Sequence, residues 1–132
     1  MSSIKYNSFN SKDLGAFGES IACEYLKQKG YDILSKNFRY SRVGEIDLIC
    51  RDQDNLFFIE VKTRCNDKFG NGADAVNYKK QSTIKKIAYI YMQKHNLSLN
   101  DYIVRFCVVE IKCGYKSNCF AVESINFIED AF

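Results

Sequence analysis

Two stretches of the chain carry apolar residues at helical spacing, and the rest of the pattern shortens into strand-like runs. Leu14, Phe17, Ile21 and Tyr25 recur every three or four positions, which predicts a helix running to about Lys29. Ser11 or Asp13 can cap its start, and Gly30 is a natural stop. Val76, Ile84, Ile87, Ala88 and Tyr91 form the buried stripe of a second helix from about Ala75 to Lys94. Between the two helices, strands are expected over Tyr31–Tyr40, around Gly44–Ile49 and around Ile59–Lys62. After the second helix, Ile103–Ile111 is a strongly apolar strand. Gly114–Asn118 reads as a turn into a further strand, Cys119–Glu123, and the remainder from Ile125 to Phe132 reads as a tail packed on the body. The expected order is α-β-β-β-α-β-β: an α/β domain over residues 12–132 with a mixed sheet flanked by helices, preceded by a flexible polar tail over 1–11.

Charge interrupts this pattern at one place. Glu45, Asp47, Glu60 and Lys62 punctuate the two central strands, which are joined by the turn-forming run Asp52-Gln53-Asp54-Asn55. A hairpin turning about Gln53 and Asp54 sets Asp47 opposite Glu60 and Glu45 opposite Lys62, with all four on one face. Ile46, Leu48, Ile59 and Val61 would then share the other face as core. Carboxylates opposed at about 5 Å between Cβ atoms repel unless a proton or a cation lies between them.

Composition narrows the setting. The chain has 132 residues, 46% hydrophobic and 27% charged, the balance of one globular domain with a real core. No apolar run is long enough to span a bilayer and the start has no apolar signal core, so no membrane association is expected and a cytoplasmic location is the default. Six cysteines without any Cys-x-x-Cys pair, and a single histidine, His95, argue for reduced and mostly buried thiols over disulfides or a zinc site. The net charge of +3 permits a nucleic-acid partner without requiring one.

Hard oxygen ligands without a nearby imidazole or thiolate favour Mg²⁺ or Mn²⁺, with Asp47 and Glu60 as its ligands. Lys62 can orient or help deprotonate an attacking water and offset charge on a phosphate. Glu19 falls at the rim of the first helix's apolar face, where it can supply a further contact or simply be solvated. These parts suit metal-assisted phosphodiester hydrolysis; the competing explanation is a satisfied ion-pair network. Arg42, Arg64, Lys79, Lys80 and Lys85 are candidates for phosphate contact, although a lysine-rich helix face is ordinarily just solvated. The glycine-bearing loop 68–72 is a segment that bends sharply or closes over a ligand.

A wider set of residues carries a resemblance. It comprises Gly18-Glu19 with Ala22, Tyr25 and Leu26, then Gly30-Tyr31 and Asn37-Phe38-Arg39. It continues through Gly44-Glu45-Ile46-Asp47-Leu48-Ile49, Phe58-Ile59-Glu60-Val61-Lys62-Thr63-Arg64, Phe69-Gly70, Lys79-Lys80-Gln81, Arg105-Phe106 and Ala131-Phe132. The chain resembles the YraN-type family of bacterial proteins, related to the PD-(D/E)XK nucleases and similar to archaeal Holliday-junction resolvases. The resemblance implies a restriction-endonuclease-like fold. It also implies endonuclease activity on DNA, branched or otherwise structured, in which Asp47, Glu60 and Lys62 match the nuclease motif and Glu19 the helix glutamate. A resolvase-like role would require a homodimer. Cys107 departs from the family pattern, which usually has aspartate after Arg-Phe; that position lies outside the nuclease motif. The alternative is a nucleic-acid-binding or adaptor protein that keeps the fold with little or no cleavage.

Overall fold

The hairpin read from the turn residues is the centre of the sheet. In the computed structural model, which describes residues 3–5, 11–65, 76–116 and 119–132, strands β3 (Gly44–Asp52) and β4 (Asn55–Cys65) pair antiparallel. Their partners run from Asp52↔Asn55 to Leu48↔Ile59, the register expected from a turn about Gln53 and Asp54. Gln53 takes a left-handed φ of 55°, as a tight turn between paired strands demands.

The other strands are β1 (Ser3–Lys5), β2 (Asp32–Tyr40), β5 (Ile103–Lys116) and β6 (Cys119–Ile128), and the sheet order is β1-β6-β5-β4-β3-β2. Among the described strands only β4 and β5 are parallel; the other pairs are antiparallel. Helix α1 (Ser11–Gln28) precedes β2, and α2 (Tyr78–Lys94) links β4 to β5. The arrangement is the mixed α/β fold expected, with the five main strands and two helices in the expected order.

The helices cover opposite faces, and each closes a separate core. Leu14, Phe17, Ala22 and Leu26 of α1 pack on Leu48, Cys50, Ile59, Val109 and Ile111. Ile84, Ile87, Ala88 and Tyr91 of α2 pack on Ile46, Ile49, Phe58 and Val108. Both strands of the hairpin are thus buried on two sides, which is why their apolar runs are nearly continuous. Helix α1 ends as its sequence predicts. Gly30 (φ 94°) follows it, its N–H reaches Lys27 O at 3.0 Å, and the Tyr31 N–H reaches Leu26 O at 3.0 Å. Helix α2 starts at an Asn77 cap whose side chain accepts the Lys80 N–H at 2.8 Å.

Three expectations change. Ser3–Lys5, inside the stretch read as a loose tail, pairs with β6 as a short edge strand. Gly114 is not in a turn, because β5 continues through it opposite Ala121. Ile125–Ile128, read as tail, extends β6 beside Val108–Ile111. A register shift between Lys112 and Cys113 accommodates the longer ladder. The loop over 68–72 lies outside the described residues, as do Ala75, at the expected start of α2, and Ser117-Asn118. Cys23, Cys50, Cys65, Cys107 and Cys113 are buried and outside any disulfide, as anticipated, and burial pushes the thiols of Cys50, Cys107 and Cys113 up to about 12. Among the described residues, no helix is long and apolar enough to cross a membrane.

Candidate active site at the open end of the hairpin

The ladder between β3 and β4 stops at Leu48↔Ile59, one residue before both acids. Each strand remains paired on its outer edge: β3 with β2 as far as Gly44↔Tyr40, and β4 with β5 as far as Cys65↔Cys113. The two strands are therefore held from outside while the edge between them is left unladdered. Asp47 fills the break, its Oδ2 accepting the Val61 N–H at 2.8 Å in place of a backbone carbonyl.

This geometry corrects the expectation of one shared acidic face. Asn37, opposite Asp47 between the pairs Lys36↔Leu48 and Phe38↔Ile46, takes a left-handed φ of 53° within β2. Side-chain alternation breaks there. Ile46 joins the α2-side core while Leu48, two residues on, joins the α1-side core, so these two do not share a face. Asp47 lines a cleft of about 300 Å³ beside α1, together with Glu19, Lys36 and Asn37. Glu60 is held on the other side, by Lys80 of α2. Glu45 is exposed and lines a second cleft of about 300 Å³ against Asn77, Lys79, Lys80 and Thr83. With the ladder ended, the expected opposition of Glu45 and Lys62 does not form; Lys62 is paired in register with Glu110 of β5.

The glutamate from α1 arrives because the helix can come close. A Cβ added to Gly18 would lie 1.7 Å from Thr63 Oγ1, so only glycine permits this approach of α1 to β4. The next residue, Glu19, is thereby set beside Asp47 and Asn37. Gly44 does the same service for α2: its φ is +151° and an added Cβ would stand 3.1 Å from Thr83 Cγ2.

Asp47 and Glu60 are the buried charged residues among those described, 7% and 4% exposed. Burial pushes the Asp47 carboxyl up to about 7, and repulsion by Glu60 and Glu19 adds to it; the Val61 N–H and Lys80 pull the other way. Glu19 is also raised, first by burial and then by Glu45 and Glu60, while hydrogen bonding to Asp47 and Asn37 opposes the rise. The donors of this carboxylate pair are all oxygen, which fits a hard divalent cation, while Lys80 already sets one positive charge on Glu60. Among the described residues no three His, Cys, Asp or Glu side chains gather as a ready-made metal cluster, so the donor set is the Asp47–Glu60 pair, with Glu19 behind it. His95 stands apart, its ring tilted against that of Tyr91 with centres 4.2 Å apart.

The basic candidates divide. Arg42 is exposed at the β2–β3 turn, beside Val43 of the second cleft, which Lys79 and Lys80 also line. Arg64 reaches Glu110 at 3.9 Å and its Nε is buried without a partner. Lys85 lies over Phe106 and Phe132, at 5.6 and 5.9 Å from their ring centres, away from both acids. Two residues belong to the site that sequence reasoning did not put there: Asn37, and Lys80 as a partner of Glu60 in place of a surface cation. An asparagine amid a strand pattern was a readable signal for the first; nothing local signals the second. Cys107 is paired in register with Ile59 and buried in the α1-side core, apart from the acids, so its departure from the family pattern does not touch them.

Comparison with known proteins agrees over the length of the chain. A UPF0102 protein of Acetivibrio thermocellus is 42% identical over 132 residues, all of both chains. One of Caldicellulosiruptor bescii is 47% identical over 123 residues, covering 93% of this chain and 99% of its own, and one of Clostridium kluyveri is 46% identical over 126 residues, covering 96% and 98%. The profile of the uncharacterised protein family UPF0102 matches residues 18–111, a span that takes in Glu19, the whole hairpin and Lys80. The chain belongs to that family.

Proposed function

We propose that the protein is a divalent-cation-dependent endonuclease that hydrolyses phosphodiester bonds of DNA, branched or structured DNA in particular. The observation that supports this reading is that Asp47 and Glu60, both buried, stand where the ladder ends and act electrostatically on each other and on Glu19, Asp47 reached from the α1 side and Glu60 from the α2 side. Asp47 and Glu60 would hold Mg²⁺ or Mn²⁺, which when bound polarises a phosphoryl group and acidifies water. Lys62, two residues beyond Glu60 on β4, forms no ion pair among the described residues. Its ammonium serves to hold the attacking water and to meet charge growing on the phosphate. Glu19 orients Asp47 from the α1 side. Lys79 and Lys80 line the α2-side cleft, with Arg42 next to its Val43, and a phosphate backbone would run there. Nucleic acid is thus the proposed partner, with a homodimer needed only if two strands are cut symmetrically.

A second reading, a nucleic-acid-binding protein with little or no cleavage, is favoured by the Lys80–Glu60 ion pair, which already neutralises one of the two acids. Cleavage of linear, flapped and four-way DNA with Mg²⁺ or Mn²⁺, by wild type and Asp47→Ala, separates the two. The nuclease reading expects cutting that falls by about a thousandfold or more in the variant. Binding without cutting by wild type would leave the second reading, and neither binding nor cutting would end both.

A further inference from the structure

Glu60 is one of the two buried acids, yet the cation on it comes from far along the chain. Lys80 Nζ lies 2.5 Å from Glu60 Oε1, a short charge-assisted contact. The Glu60 side chain is 6% exposed and that of Lys80 is 43% exposed, so the carboxylate is fixed while the ammonium arm reaches in from solvent. The base of the arm is anchored, because the Lys80 N–H is the donor to the Asn77 cap at 2.8 Å. Movement is therefore confined to the flexible four-carbon stem, whose terminal charge can rotate without disturbing α2.

An ammonium and a divalent ion compete for Oε1. Lysine has three donors and no lone pair while protonated, so it cannot join a coordination shell, and two cations at bonding distance from one oxygen repel. The cleft that Lys80 already lines, beside Lys79 and Asn77, offers the arm an exit. Resting on the nuclease reading for the identity of the ion, we infer that Lys80 holds the cation position on Glu60 in the ion-free protein and is displaced into the Lys79 cleft when the divalent ion enters. Lys80 is then a positioning residue with two stations. It keeps the acid pair from standing empty, and on release it doubles the positive charge beside Lys79 where a phosphate would lie.

The test is direct Mn²⁺ binding to the full chain, read by electron paramagnetic resonance of the free ion, without any substrate. Removing the competitor in Lys80→Gln should tighten Mn²⁺ binding by about tenfold, the factor that about 1.4 kcal/mol makes. Lys80→Arg, which keeps the charge, should stay near wild type. Lys86→Gln, which removes an exposed charge from the same helix, should change binding by no more than about twofold, as screened surface charges do. If wild type binds Mn²⁺ and Lys80→Gln binds it equally or more weakly, the displacement inference is overturned while the metal site stands. If Lys86→Gln tightens binding as much as Lys80→Gln, the effect is general electrostatics and the inference is again overturned. If neither wild type nor Lys80→Gln binds, or if Asp47→Asn leaves binding intact, the metal site itself is refuted and the inference with it. Circular dichroism of each variant shows whether a lost signal is a lost fold; if Lys80→Gln unfolds, Lys80→Met, which keeps most of the stem without the charge, should show the same tightening and overturns the inference if it does not.

Discussion

The two halves of the β3–β4 hairpin obey opposite rules. From Leu48 to Ile59 around the turn, every pair is laddered, and Leu48, Ile49, Cys50, Phe57, Phe58 and Ile59 are all almost fully buried. From Gly44 to Asp47 and from Glu60 to Arg64 the same strands are unladdered to each other and carry charge. The first half is ordinary core. The second is held open by its outer neighbours, β2 and β5, so the cost of burying two acids falls on a frame that the closed half has already made rigid.

Three substitutions probe that division. The largest effect belongs to the closed half: Ile59→Ala, in the α1-side core, should cost about 2–5 kcal/mol by urea unfolding. A loss below about 1 kcal/mol would show that the closed half is not the rigid frame. Next comes the approach of α1 to the open half. Gly18→Ala forces Thr63 and α1 apart and should destabilise by about 1–3 kcal/mol. It should also withdraw Glu19 from Asp47, visible as a downward move of the Asp47 titration by carboxyl NMR, since Glu19 is among the charges raising it. An unchanged titration would separate α1 from the site.

The smallest effect has the reverse sign. The Asp47 carboxyl sits at about 7 when folded, against an ordinary value of 3.8. The folded protein therefore binds the proton more tightly than the unfolded chain. That contribution to stability is complete below about pH 4 and is lost as pH rises to about 7. Asp47→Asn keeps an acceptor for the Val61 N–H and has no charge to bury. It should unfold later than wild type at pH 8, by about 1–2 kcal/mol, with the advantage shrinking towards pH 5. Wild type proving the more stable at pH 8 would mean that the open half is not under charge strain.

Much of this was legible in the chain. The turn residues Asp52–Asn55 are enough to set the register from Leu48 to Ile59, and the α2 stripe matches residue for residue. On α1, Leu14 and Phe17 are buried, but Ala22, Cys23 and Leu26 bury more fully than the expected Ile21 and Tyr25. What escaped was where alternation ends. A pleat extrapolates without limit, whereas here alternation fails beside Asn37, whose φ is 53°, and Ile46 and Leu48 fall in different cores. Lys80 escaped for another reason. Its neighbours in sequence are lysines and polar residues of a helix surface, and only the packing of α2 across the sheet brings it to Glu60. The long β6 was missed because its second half alternates Ile125, Phe127 with polar residues too briefly to outweigh the nearby chain end.

The parallel pairing of β4 with β5 has a consequence in time. Parallel neighbours need a crossover, here through α2, so Glu60 and Val61 meet Val108 and Val109 only after a long loop has closed. The β2–β3–β4 meander is local by comparison and needs no such wait. A nascent chain that has not yet emerged past Cys113 can thus form the closed half of the hairpin but lacks the strand that holds the open half in place. Lys80, carried on the crossover itself, comes to Glu60 only when α2 docks on the sheet.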